Sequence, residues 1–174
     1  MAYQLNETET TIRDRRSIRA WKPDAVPREL IERVLDSARW APSARNRQPW
    51  HFIVVTEPAR RAALAAAAKV DGVAQRHVAE APVIIALCGH SSIAPRWYPI
   101  DLALASQNLL LAAKSLGLGT CWIGGFVDAE TRPLLGLPDN VRIVGLVTLG
   151  YPADEQPERK TRVDLDRMVH WEQY

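Results

Sequence analysis

PIDLALASQNLLLAAKSL, residues 99–116, is the stretch on which the fold turns. At helical spacing Leu102, Leu109 and Leu116 share one face, while Leu104 and Leu111 fall on nearly the opposite one. An ordinary surface helix carries a single apolar stripe, so this helix packs on its own core and on something else. Two arrangements satisfy the pattern: a second subunit covers the outer stripe, or the helix is central and wrapped by its own domain.

On the N-terminal side, Pro27 and the following Arg28 and Glu29 open a helix, since proline in the first turn loses no hydrogen bond and an early carboxylate favours the dipole. Leu30, Ile31, Val34, Leu35 and Ala38 form its apolar face, and Pro42 stops it. A polar loop over residues 43–48 leads into WHFIVV, residues 50–55, whose aromatic and β-branched residues read as a strand. An alanine-rich helix over residues 59–69 follows, then a short helix over residues 73–80. Residues 82–87 are a continuous apolar run of strand length, which implies burial on both faces.

Beyond the long helix, Gly117 and Gly119 end it, residues 120–123 form a short strand, and Asp128 caps a brief helix reaching Leu135. Residues 141–149 form the last core strand. From Tyr151 onward the chain is polar and proline-containing until residues 168–171, so residues 151–174 read as an extended tail that docks on a surface. No repeat or linker divides the chain, which reads as one domain over residues 1–174, a modest sheet of about four strands covered by helices.

The 174 residues are 47% hydrophobic and 24% charged, the composition of a globular chain with a sizeable core. Twenty-two basic and 20 acidic side chains leave a formal charge of +2, which argues against nucleic acid or an anionic membrane as partner. Of the 22 basic residues 18 are arginine, either a reflection of codon composition or a use of the guanidinium fork for phosphate. Cys88 and Cys121 lie far apart in apolar stretches, the setting of buried reduced thiols, and no metal-ligand spacing is present. Residues 1–11 are polar and acidic, unlike a signal peptide, and no apolar run approaches the roughly 20 residues that span a bilayer. The expected location is the cytoplasm.

Two segments carry candidate chemistry. Arg15, Arg16, Ser17, Ile18 and Arg19 place three guanidinium groups, a hydroxyl and backbone amides within five residues, which suits an oxyanion or else forms a solvated cluster. APSARNRQPW, residues 41–50, is an extended loop fixed by two prolines, in which Ser43, Asn46 and Gln48 offer donors and acceptors to a planar heterocycle. No glycine-rich phosphate loop follows the first strand; the only double glycine, Gly124-Gly125, comes late.

RRSIRAW, then APSARNRQPWHFIVV, DLALASQNLLLAAKSLGLGTCWIGGF, LGLPDNVRIVGLVTLGYP and KTR, in this order, resemble the FMN-dependent nitroreductase superfamily over nearly the whole chain. The resemblance implies an α+β fold with a small mixed sheet covered by helices, in an intertwined homodimer with FMN at the interface and the tail reaching over the partner. It implies that Arg15, Arg16 and Ser17 hold the FMN phosphate and ribityl chain, that Arg19 approaches the pyrimidine edge of the ring, and that Lys160 and Arg162 close on the same phosphate. Pro42, Ser43, Ala44 and Asn46 would come from the other subunit to the ring, and the turn at Gly124 and Gly125 would offer a backbone N–H to flavin N5. Where many members have lysine this chain has Arg19, and where some have an acidic residue it has Gly124.

The activity implied is a ping-pong cycle in which NADH or NADPH gives hydride to flavin N5 and a nitroaromatic, quinone or similar acceptor is then reduced. Hydride transfer requires no acid, base or nucleophile, so no catalytic side chain is expected beyond the flavin. Larger members carry insertions over the flavin that this chain lacks, which leaves Trp97 and Tyr98 as candidates to touch substrate. Within the same fold, flavin fragmentation, dehalogenation or azoline oxidation are alternatives, as is a non-catalytic flavin-binding protein.

Overall fold

The computed structural model describes residues 4–155, 157–158 and 161–174. Its centre is a four-stranded sheet in the order β1 (Trp50–Val55), β4 (Val83–His90), β6 (Val141–Gly150), β5 (Gly119–Ile123). All three pairings are antiparallel, with Trp50 opposite Gly89, Val83 opposite Leu149 and Gly119 opposite Gly150. The mixed character expected of the sheet is confined to one parallel bridge, Ser17 to Thr120, on the outer edge of β5.

β4 is apolar and buried on both faces from Val83 to Gly89, as its hydrophobic run requires, and ends at the half-buried His90. Val83, Ile85 and Leu87 face α2 (Arg28–Ala38) and α5 (Tyr98–Ser115), joining Ile31, Val34, Leu102 and Leu109 in one core. Ile84, Ala86 and Cys88 point the other way, toward Leu64 and Ala65 of α3 (Pro58–Ala67), Val78 of α4 (Arg76–Glu80) and Leu135 of α6 (Asp128–Leu135). The result is three layers, with a helical layer on each side of the sheet.

Along α5 the two stripes separate cleanly. Leu102 and Leu109 are completely buried, while Leu104 on the other side is 42% exposed and Ile100 is 51% exposed. Leu111, the other leucine of the outer stripe, is half-buried, so the chain's own domain leaves that stripe uncovered toward the N-terminal half of α5 and partly covered beyond it. No helix among the described residues is long and apolar enough to cross a membrane.

Three local expectations are corrected. The helix expected over residues 73–80 begins only at Arg76, because residues 69–74 form a hairpin of β2 (Lys69–Val70) and β3 (Val73–Ala74). Asp71 and Gly72 turn it with φ of 50° and 80°, the aspartate-glycine geometry that matches strand twist. Asp128 is the first residue of α6 and not its cap, since Val127 stands in the cap position without a side-chain bond. An additional helix, α1 (Glu7–Asp14), starts at a reciprocal cap in which Asn6 Oδ1 accepts from Glu9 N and Glu9 Oε2 accepts from Asn6 N.

The arginine-rich segment is attached to this frame by its apolar residues. Ile18 N donates to Thr120 O at 2.9 Å, and the Ile18 side chain lies where a Cβ on Gly119 would sit, 2.7 Å from Cγ1. Gly119→Ala should therefore push Ile18 off β5 and lower stability by about 1–3 kcal/mol in urea denaturation; an unchanged midpoint would refute this packing.

Burial pushes the Cys88 thiol up to about 11 from an ordinary 9.0, with Arg132 opposing. The unfolded chain then ionises first, so this contribution is intact below pH 9.0 and is lost as pH rises toward about 11. Across that interval the wild type should lose more stability than Cys88→Ala; parallel pH curves would contradict the assignment.

Candidate functional site

The residues 15–22 run between the β5 edge and the start of the tail. Besides the Ile18 bond, Lys22 N donates to Tyr151 O at 2.9 Å and Ala153 N donates to Ala20 O at 3.0 Å. Trp21 bridges to Pro152, and its Nε1 donates to His77 O at 3.0 Å. Ile18 is buried, and its polar neighbours Ser17 and Arg19 lie on the opposite side of this extended segment.

That side opens on a cleft of about 750 Å³, within the size range of small-molecule sites. Arg13, Arg15, Arg16, Arg19 and Arg162 line it together with Ser17, Gln107 and Thr161, and Glu158 is the only carboxylate among the described lining residues. Arg16 is pre-oriented, its Nη1 donating to Arg13 O at 2.7 Å and to Arg15 O at 3.0 Å. The positive field reaches into the sheet. Burial raises the pKa of the Cys121 thiol, but Arg19, a hydrogen bond with Ser17, and Arg15 oppose it. Burial and then Arg19 hold the His77 imidazole below its usual range, with Glu80 opposing.

The structure thus gathers Arg15, Arg16, Ser17, Arg19 and Arg162 around one cavity. Lys160 lies outside the described residues. A donor set of five guanidiniums and two hydroxyls fits a phosphate, which needs several charge-assisted bonds and charge balance when taken from water. Because residues 15–19 run parallel to β5, Arg15 lies beside Gly119 and Arg19 is carried toward the Gly124 end.

The second set of residues is elsewhere. Pro42, Ser43, Ala44 and Asn46 do not line the cleft; their loop sits at the N-terminal end of α5, where Ala44 N donates to Asp101 Oδ1 at 3.0 Å. Ser43 Oγ closes the loop by accepting from Gln48 N at 3.0 Å. Arg45, Asn46 and Gln48 have φ of 56°, 55° and 48°, a cluster of left-handed backbone at roughly 1–2 kcal/mol per residue other than glycine. Asp101 is 3% exposed, its Oδ2 has no hydrogen-bond partner among the described residues, and through Oδ1 it is an internal anchor for a strained loop.

The two glycines after β5 differ in role. A Cβ on Gly125 would stand 2.7 Å from Lys69 O and 2.6 Å from Val70 Cγ2, so that glycine admits the β2–β3 hairpin. Gly124 has only Trp122 Nε1 within reach, at 3.7 Å, and its backbone is approachable. Trp97 is 42% exposed at the start of α5, with the Arg96 guanidinium 5.3 Å from the centroid of its ring, while the Tyr98 ring packs against Gly89 and the core. Sequence reasoning missed Gln107, a polar residue on the outer side of the two-faced helix, and Ile12 and Arg13, whose helix was signalled by the Asn6 to Glu9 cap.

A model of the Nitroreductase family matches residues 12–151. A Methanothermobacter thermautotrophicus protein provisionally named NADH dehydrogenase/NAD(P)H nitroreductase is 40% identical, covering 94% of this chain and 85% of its own length. An NADH dehydrogenase of Thermus thermophilus is 34% identical over 95% of this chain and 96% of that protein. The solved NADPH:FMN oxidoreductase of Vibrio harveyi in complex with NAD+ superposes with a TM-score of 0.87 at 31% identity, covering 97% of this chain and 78% of that one. With the family match extending from α1 to the end of β6, the chain belongs to the nitroreductase family.

Proposed function

We propose that this chain is an FMN-dependent oxidoreductase that takes reducing equivalents from NADH or NADPH and passes them to a small organic acceptor such as a nitroaromatic or a quinone. The convergence of Arg15, Arg16, Ser17, Arg19 and Arg162 on one cleft carries this reading, beside relatives whose names pair FMN with a nicotinamide donor. Bound FMN supplies the ring that accepts hydride from the donor and returns electrons to the acceptor in a second half-reaction.

The protein's part is binding and electrostatics. Arg15, Arg16 and Arg162, with Lys160, hold the phosphate, and Ser17 bonds the ribityl chain. Arg19, further along the same extended segment, keeps positive charge beside the pyrimidine edge and so favours the reduced, more anionic ring. Gly124 leaves room for a backbone N–H at the ring face. No side-chain acid or base enters the hydride step.

The active form in this reading is a homodimer. Pro42, Ser43, Ala44 and Asn46 do not line their own chain's cleft, and they complete the site when the partner's loop meets the ring. The exposed Ile100 and Leu104 on α5, and Val163, Leu165, Met168 and Trp171 along the tail, supply apolar area for that interface. Residues 151–174 belong to the same single domain and dock on the partner. Buried, unpaired Cys88 and Cys121 suit the reducing cytoplasm.

Purified protein should be yellow, lose its flavin absorbance under anaerobic NADH or NADPH, and show twice the chain mass in light scattering. A colourless protein that cannot be reconstituted with FMN would overturn the reading. Arg15→Ala and Arg162→Ala should weaken FMN binding by roughly tenfold or more, whereas Arg60→Ala, on an exposed helix turn beside Glu57, should leave it unchanged. Equal FMN content in all three variants would remove the phosphate assignment.

A further inference from the structure

The loop between α2 and β1 bears a conformational load that the fold alone does not call for. Residues 41–49 contain no glycine, yet Arg45, Asn46 and Gln48 all adopt left-handed backbone. Asparagine tolerates that region; arginine at φ 56° does not do so readily. The loop is held there by the Asp101 anchor on Ala44 N and the Ser43 bond to Gln48 N.

The strained turn presents Arg45 and Arg47 to solvent two residues apart. Among the described residues, no ion pair and no side-chain hydrogen bond engages either guanidinium. Asp101, the carboxylate hydrogen-bonded to this loop, is buried and accepts from Ala44 N, not from either guanidinium. Arg39 is already committed to Asp36 at 2.6 Å and to the Trp40 ring at 5.2 Å.

We propose that Arg45 and Arg47 form a phosphate clamp for the nicotinamide dinucleotide donor. This rests on the reading of the chain as an NAD(P)H oxidoreductase with the loop at the partner's flavin ring. Guanidinium forks match phosphate oxygens, and a turn held in place before the ligand arrives spends little of the binding energy on ordering. The FMN phosphate is served by the separate arginine set of the cleft, so cations flanking the ring-contacting Ser43 and Asn46 act on a molecule laid over the ring. The phosphates on such a molecule are the pyrophosphate shared by NADH and NADPH and the 2′-phosphate of NADPH alone.

The test uses the FMN-loaded protein and the variants Arg45→Gly, Arg47→Ala and the double variant; glycine removes the side chain while keeping the left-handed turn unstrained. KM for NADPH should rise roughly tenfold in the double variant, with kcat within about twofold and FMN content unchanged. An equal rise for NADH assigns the clamp to the pyrophosphate, and a rise confined to NADPH assigns it to the 2′-phosphate. Calorimetric binding of adenosine 2′,5′-bisphosphate and of ADP gives a readout independent of turnover, and the weakened ligand should match the donor affected. Unchanged donor KM with unchanged nucleotide binding, or loss of FMN in place of loss of donor affinity, overturns the clamp. Wild-type protein that holds FMN but is reduced by neither dinucleotide overturns the functional reading instead, and the nucleotide binding then decides the clamp by itself.

Discussion

Burial of β4 on both faces is the constraint from which the rest follows. A strand reading Val83, Ile84, Ile85, Ala86, Leu87, Cys88 has no side that water can wet, so helices must cover both faces of the sheet. α2 and α5 cover one face, and α3, α4 and α6 cover the other. Because the sheet needs only one side of α5, the second leucine stripe of that helix is left outward, and the chain acquires a surface it cannot satisfy by itself.

α5 also organises the site. Its N-terminal turn anchors the strained loop through Asp101, and Gln107, further along, lines the arginine cleft. One chain therefore carries both candidate sets of residues without bringing them together, and the proposed homodimer is what would join them. The electrostatics follow the same economy. A net charge of +2 coexists with five arginines around one cavity because, Glu158 apart, the described acidic side chains are placed elsewhere, some in surface pairs such as Glu32 with Arg28 and Glu80 with Arg76.

Much of this was legible in advance. β1, β4 and β6 were readable as apolar or β-branched runs of strand length and α5 from its helical spacing, and of the two faces of α5 one is buried while the other is exposed at Ile100 and Leu104 and half-buried at Leu111. α1 and the hairpin of residues 69–74 were not, since both are short and their signals, the asparagine-glutamate cap and the aspartate-glycine turn, are local and polar. In the site, the arginine-rich stretch announced an oxyanion by donor density, but Gln107 had no signal apart from its place on a helix whose neighbours were unknown.

The sequence by itself determined the layer architecture, the family and the residue types available for a phosphate, because periodicity, turn chemistry and donor density are properties of neighbouring residues. The tertiary structure decided which of them meet. Only the packing of Ile18 on Gly119 turns an arginine cluster into one wall of a cleft, residues 20–22 are bonded to the start of the tail, and Arg162 from that tail lines the same cleft. Contacts across more than a hundred residues of chain depend on the sheet that lies between them, and local sequence does not encode that register.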